Sequence, residues 1–383
     1  MPARSFSFAE TGEVYSSPML TAAYVALCVF GALVAFALLV FIVEYLVAGH
    51  RYTGPVTDHF DGIQFHSIGV RPSKSMHDEN EGKSVWKWLL LISRRRNVWI
   101  WRANAVYPKP AERVSDGVVV TFVNHATVLI QVAGLNIITD SMWSKRASPF
   151  TFLGPKRFRA PGIAFDDLPP IDMVLLSHNH YDHLDLNTLK RIAKKWSPKI
   201  YTALGNTEYL AERGVEGAQD MDWWDEVVHG PVKIVSVPAQ HFSARAIRDR
   251  NGTLWCGFVI ETSYGPIYFA GDTGYGAYAA EIKKRYEKFI LGLIPIGAYL
   301  PDWMMRKVHM SPDEALALHK ELCIDISIGI HHSTFKLADD LQDEPIERIR
   351  ELVAKDVANP DFRVLDHGES LLIGNTAAKI PSI

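Results

Sequence analysis

Cysteine is scarce: Cys28, Cys256 and Cys323 are the whole set in 383 residues. An odd, widely spaced trio excludes a disulfide framework and a cysteine-built zinc knuckle, and it fits a reducing compartment. Net charge is also small, at −3, so there is no electrostatic case for a nucleic-acid partner. No internal repeat or low-complexity tract marks the chain. With 48% hydrophobic and 22% charged residues, the composition is not that of a disordered protein, and it can bury a sizeable core. The length is long for one domain and short for three.

Charge is missing altogether from one stretch. Leu20 to Val43 is a run of 24 residues without a charged side chain, rich in Ala, Leu, Val and Phe. As a helix it would rise roughly 36 Å, enough to cross a bilayer with some tilt. A core helix is rarely apolar all round over such a length, and a signal peptide has a basic start and a shorter apolar centre. Here Arg4 is accompanied by Glu10 and Glu13. The expectation is a tail over 1–19 and a single membrane-spanning helix over 20–48. Lys and Arg are in excess on its C-terminal side, which puts the large domain in the cytoplasm. Gly31 and Ala35 form a small-xxx-small pair of the kind that marks helix contacts, which leaves room for a homodimer.

Residues 49–115 read as a linker followed by a Trp- and Arg-rich segment. Trp86, Trp88, Trp99 and Trp101 surround an apolar stretch and the Arg94–Arg96 triplet. Indoles beside cations suit a membrane–water interface; packing on the domain's own core is the alternative.

From 116 to 383 the pattern is that of an α/β domain. Val118–Val123, Val128–Val132 and Leu135–Thr139 read as strands in hairpins. Ile171–Leu176 is a continuous apolar run, typical of a buried strand, and Leu186–Trp196 reads as a helix. Val232–Val237, Leu254–Ile260 and Ile267–Phe269 are further strands. Ser311-Pro312-Asp313-Glu314 opens a helix with a capping box. A strand from Ile326, a helix over Glu344–Ala358 and a strand to Leu365 close the series. Hairpins first, then strands alternating with helices, imply two sheets sandwiched between helices.

Histidine is plentiful, with 15 residues, and three of them crowd one segment. Ser177-His178-Asn179-His180-Tyr181-Asp182-His183 lies between the buried strand and the helix. His178 and His180 are two apart and can point one way; Asp182 and His183 can face a second point, at about the 3.5–4 Å spacing of two-metal sites. Imidazole with carboxylate suits zinc, and also iron or manganese. Further donors at strand ends are His241, Asp272 in Gly271-Asp272-Thr273-Gly274, and one of His331 and His332.

This order of motifs resembles the metallo-β-lactamase superfamily. Within it, Asn124-His125-Ala126-Thr127, Arg146-Ala147-Ser148-Pro149, Gly154-Pro155-Lys156-Arg157, Leu168-Pro169-Pro170-Ile171-Asp172, Asp222-Trp223-Trp224, Ile294-Pro295-Ile296-Gly297-Ala298-Tyr299 and His367-Gly368-Glu369-Ser370 are similar to the N-acylphosphatidylethanolamine-hydrolysing phospholipases D and their bacterial relatives. The resemblance spans about 117–373. It implies an αββα sandwich holding two divalent ions, zinc first. His178, His180 and His241 would hold one ion, Asp182, His183 and His331 the other, and Asp272 both. It further implies a shared solvent as nucleophile, catalytic roles for Asp182, Asp272 and His309, and substrate contacts from Tyr181 and His309. The partners implied are a phospholipid substrate and the membrane. Ser141, Asn124 and the pair His332-Ser333 depart from the family's proline, glycine and Trp-Gly. Two functions stay open: a lipid phosphodiesterase of phospholipase D type, or a hydrolase of a small soluble substrate such as a sugar-phosphate lactone.

Overall fold

In the computed structural model, residues 18–69 and 98–374 are described. The chain divides into two compact units between Val47 and Ala48.

The first unit is a helix, α1, Pro18–Val47. It has no polar stripe to set against a core. Tyr24, Phe30, Phe36 and Phe41 are all exposed, and Gly31 has open space where a side chain would go. By length and composition α1 is apolar enough to cross a membrane.

The second unit is built on two seven-stranded sheets. The first contains β1 (Val118–Asn124), β2 (Thr127–Val132), β3 (Leu135–Thr139), β4 (Met173–Leu176), β5 (Lys199–Ala203) and β6 (Ala218–Met221), with β14 (Ser370–Ile373) paired to β1. The second contains β7 (Glu226–His229), β8 (Val232–Val237), β9 (Gly257–Thr262), β10 (Gly265–Phe269), β11 (Phe289–Pro295), β12 (Ile324–Ile330) and β13 (Asp361–Arg363) in spatial sequence. Each sheet starts as antiparallel hairpins and turns parallel, from β3 to β6 in one and from β10 to β13 in the other. The helices are α2 (Leu186–Trp196), α3 (Thr207–Glu212), α4 (Tyr278–Arg285), α5 (Asp302–Met305), α6 (Pro312–Glu321) and α7 (Glu344–Lys355).

Side-chain alternation sorts these elements into layers. On β4, Met173 and Leu175 pack inward with Ile267, Phe269 and Leu293 of the other sheet. Val174 and Leu176 face outward onto Leu189 and Ile192 of α2 and Leu210 of α3. That is why β4 reads as an unbroken apolar run: it is covered on both faces. On the far side, Val235, Val259 and Ile294 meet Ile282 of α4, Leu318 of α6 and Ile349 of α7. The result is the expected αββα sandwich.

Several boundaries differ from expectation. The strand expected from Leu254 starts at Gly257, because Leu254 and Cys256 donate instead to Leu204 and Ser177 carbonyls. α7 stops at Lys355, short of Ala358. β11 contains Gly292 and Pro295, which mask a strand in sequence. A Cβ at Gly292 would come within 2.7 Å of Ile324 Cδ1, so the Ile324 side chain would have to shift to admit one.

Residues 48–69 are irregular, as their composition implies, yet they are part of the core. Phe60 and Phe65 are buried in the inter-sheet cluster with ring centroids 4.5 Å apart. Tyr52 N donates to Gly252 O (2.7 Å) and Phe65 N to Asn251 O (2.9 Å). The tryptophan segment divides. Trp99 is buried, donates from Nε1 to Asp340 O (3.2 Å), and so packs on the domain. Trp101 is 60% exposed, alongside exposed Val98 and Ile100. Trp86, Trp88 and Arg94–Arg96 lie outside the described residues.

A chain beginning at Ala48 is expected to unfold cooperatively in urea, and Phe60→Ala in that background to lose about 3–5 kcal/mol. A loss below about 1 kcal/mol would mean that the lead-in is not part of the core.

Candidate metal centre

The His-rich segment is locked from both ends by carboxylates. Asp140, just after β3, accepts from Ser177 N (2.8 Å) and Ser177 Oγ (2.6 Å). Asp185 accepts from Ser144 N (2.8 Å) and Trp143 N (3.2 Å) and caps α2 through Thr188 N. Between them, His183 N and Leu184 N both donate to His180 O, which folds residues 180–184 into a turn. Arg245 clamps that turn from outside, donating from Nη1 to Asn179 O (2.8 Å) and Leu184 O (3.2 Å).

Other strand ends bring the remaining donors. His241 follows β8 and Asp272 follows β10. Their loops are tied together by Gln240 N to Thr273 Oγ1 (2.8 Å) and Gly274 N to Gln240 O (2.8 Å). Gly271 is left-handed (φ 61°), and a Cβ there would come within 2.8 Å of Ser177 Cβ. Only glycine lets the two strand ends approach so closely. His331 follows β12 and is itself left-handed (φ 60°).

The donors fall into two groups. His178 Nε2 lies 2.8 Å from His180 Nδ1, which is 3.2 Å from His241 Nε2. Asp182 Oδ2 lies 3.4 Å from both His183 Nε2 and His331 Nε2. Asp272 Oδ2 reaches both groups: 3.1 Å from His183 Nε2, 3.0 Å from His331 Nε2 and 3.8 Å from His241 Nε2. All seven sequence-read donors therefore meet in one place. His332 does not join them: its Nε2 donates to Gly329 O (3.1 Å) and its ring is stacked on Phe122.

The chemistry of the donors fits two divalent ions. Ring nitrogens converge on one another, and the buried atoms His180 Nε2, His183 Nε2, His331 Nε2 and Asp272 Oδ1 have no hydrogen-bond partner. Burial holds His178 and His241 well below the ordinary histidine range and takes His180 to about 3, so these three are neutral. Burial would also lower His183, but Asp272, Asp182 and Asp140 outweigh it and hold that group well above its usual value. The cluster thus has an excess of buried negative charge that calls for cations. Outer contacts aim the lone pairs. The Val308 carbonyl can only accept, so His241 donates to it from Nδ1 (2.7 Å), leaving Nε2 free toward the centre. Asp140 does the same for His183 through Nδ1 (2.6 Å), the usual arrangement behind a metal-binding histidine.

His309 and Tyr181 border the groups. His309 Nδ1 is 3.9 Å from Asp272 Oδ2, buried and without a hydrogen-bond partner; burial lowers its pKa to about 4. Its backbone N caps the turn by donating to Met305 O (2.8 Å). Tyr181 lies with its ring face 3.9 Å from the Arg245 guanidinium, and burial raises its pKa to about 12.

Two residues of the centre carry no role in the sequence reading. Asp140 and His125 are both fully buried and both touch donors directly. Asp140 had a signal like that of Asp272, an aspartate within three residues of a strand's C-terminal end. His125 lies in a motif that the resemblance picks out without a function.

The beta-lactamase superfamily domain matches residues 135–332 of this chain. The chain belongs to the metallo-β-lactamase superfamily. Its architecture and paired donor groups are those of a metal-dependent hydrolase with a dinuclear site. The chain is 37% identical over 271 residues to N-acyl-phosphatidylethanolamine-hydrolyzing phospholipase D 1 of Caenorhabditis elegans, covering 66% of this chain and 75% of the relative. It is 36% identical over 230 residues to the mitochondrial N-acyl-phosphatidylethanolamine-hydrolyzing phospholipase D of Saccharomyces cerevisiae, covering 57% of this chain and 48% of the relative. Among solved structures, an isothiocyanate hydrolase from Delia radicum gut bacteria superposes with a TM-score of 0.55 at 20% identity, covering 67% of this chain and 100% of that one; this likeness is one of fold.

Asp272→Ala is expected to lose more bound metal than His241→Ala, because a shared carboxylate serves both positions. Metal content by plasma emission on purified, folded variants decides this; an equal or milder loss in Asp272→Ala would remove the bridging role.

Proposed function

We propose that this chain is a membrane-anchored phosphodiesterase of phospholipase D type, acting on N-acylphosphatidylethanolamine-like lipids. The observation that carries the reading is a pair of donor groups sharing Asp272, with His309 beside them and outside both. His178, His180 and His241 would hold one ion, Asp182, His183 and His331 the other, and zinc suits this nitrogen-rich set. When bound, two divalent ions lower the pKa of a shared water and stabilise charge on the phosphate oxygens.

The protein's own groups do the rest. His309, kept neutral by burial, has an imidazole N–H to give to a substrate phosphate oxygen without competing as a cation. Tyr181 stays a neutral phenol, and its hydroxyl can donate to the same phosphodiester while Arg245 fixes the ring. Asp182 would both hold the second ion and orient the attacking solvent. Charge thus develops where preorganised donors already stand.

A lipid substrate is supported by three features. Two similar proteins carry N-acyl-phosphatidylethanolamine hydrolysis in their names. α1 has the length and composition of a membrane span. The segments that follow β3, β8 and β11 present Phe152 and Leu153 (77% and 61% exposed), Ile247 (85%) and Trp303 (50%) to the outside. A soluble sugar-phosphate substrate has no use for such apolar tips.

Metal-loaded protein in mixed micelles should turn over an N-acylphosphatidylethanolamine and leave a sugar-phosphate lactone untouched. His309→Ala should keep its metal and lose about 10²–10⁴-fold in kcat/KM. A change under about threefold would assign His309 to the structure of the turn before α6 and count against the phosphodiesterase reading; lactone turnover in place of lipid turnover would replace it.

A further inference from the structure

His125 takes no part in the mechanism above, yet its placement is costly. It sits in the turn between β1 and β2 with a φ of 49°, a left-handed backbone uncommon outside glycine, and it is 1% exposed. Its surroundings hold it there from three sides. His125 N donates to Thr334 Oγ1 (3.0 Å) and its carbonyl accepts from His331 N (2.8 Å). Its ring centroid is 4.0 Å from that of His331, and the Phe335 ring meets it edge-on at 5.3 Å. So fixed, His125 Nε2 lies 2.9 Å from Asp182 Oδ2. That oxygen is the one facing His183 and His331.

We propose that His125 is a positioning residue for the second metal position: its Nε2–H holds Asp182 Oδ2 in line with His183 and His331. The inference rests on the two-metal reading. The Asp182 carboxylate can rotate about two side-chain bonds, and a donor from a rigid β-turn removes that freedom before any ion arrives. Direct ligation by His125 is the competing role, since one of its ring nitrogens lies within 4.8 Å of donor atoms of Asp182, His183 and His331. Asp182, His183, His331 and Asp272 would already supply four protein donors to that ion, and the shared solvent a fifth, so a further ligand from His125 is not needed. His125 therefore acts through Asp182 and couples it to His331, whose backbone it also holds.

The test compares full-length parent, His125→Ala and His125→Gln in detergent, each stripped of metal and titrated with zinc against a chromophoric chelator. The parent should take two ions. In His125→Ala the weaker-held ion should lose about 10–100-fold in affinity, as outer partners of metal ligands typically do, with the other ion unchanged. His125→Gln, whose amide N–H can reach the same oxygen, should recover most of that loss. Cobalt-loaded samples give an absorption spectrum as an independent readout of the second position, and thermal unfolding of the stripped proteins monitors the fold. Unchanged second-ion affinity in His125→Ala, with or without lower stability, overturns the proposal and leaves the turn merely structural. Glutamine and alanine failing alike in folded protein overturns it in favour of direct ligation. A parent that takes no metal overturns the two-metal reading itself, and the proposal with it.

Discussion

Asp272 Oδ2 stands within 3.8 Å of three imidazole nitrogens that arrive from three different strand ends. A buried carboxylate with that many partners imposes strict terms on the rest of the fold. Each strand must finish at the same edge of the sandwich, and each loop must begin there without wandering. The parallel halves of both sheets meet this demand, because parallel strands bring their C-terminal ends to one side. Asp140, Ser177, Asp272, Ala298 and His331 are each found within a few residues of such an end. The antiparallel strand β8 contributes His241 by way of a loop pinned to Thr273 and Gly274.

Holding so many polar groups in place requires unusual backbone. His125, Asp140 and His331 are all left-handed, and conformations of this kind cost on the order of 1–3 kcal/mol each. The molecule offsets this locally. Asp140 N is bonded to Leu175 O, His331 N to His125 O, and His125 N to Thr334. The loop bearing His241 is supported by the chain's own lead-in, where Gly49 N donates to Asp249 Oδ2 (2.5 Å) and Asp249 in turn accepts from Ala246 N (2.7 Å). Asp249 also accepts from Arg245 N (3.1 Å), and Arg245 grips the His178–His183 turn. The irregular residues after α1 are thus mechanically continuous with the centre.

How far the sequence discloses this follows from the range of each interaction. β3, β8 and α2 have the boundaries their patterns imply, because alternation and a capping aspartate act over a few residues. The four donors of the turn are legible for the same reason: their spacing alone makes them a ligand group. His241, Asp272 and His331 carry weak local signals and become legible only together. β11 was hidden by Gly292 and Pro295, and β14 by its short, half-exposed alternation. Phe60 and Phe65 were hidden in polar surroundings, since what buries them is contact with strands far along the chain. His125 is the extreme case. Nothing near it in sequence says that its ring will meet an aspartate 57 positions away.

The two buried imidazoles outside the donor set, His125 and His309, show why position decides function here. Both are neutral because burial opposes their charge, and each has a buried Nδ1 without a partner. His125 has its Nε2 on Asp182 and its ring against those of Phe335 and His331, so it is fixed within the protein. His309 is 3.9 Å from Asp272, too far for a hydrogen bond, on a segment that ends in the exposed α5 side chain Trp303. A residue with an unpartnered ring nitrogen beside Asp272 would be available to a molecule that comes from outside. Under the proposed function, the same chemical group would serve the frame at His125, whose Nε2 is held against Asp182, and the substrate at His309, whose Nδ1 stands unpartnered beside Asp272.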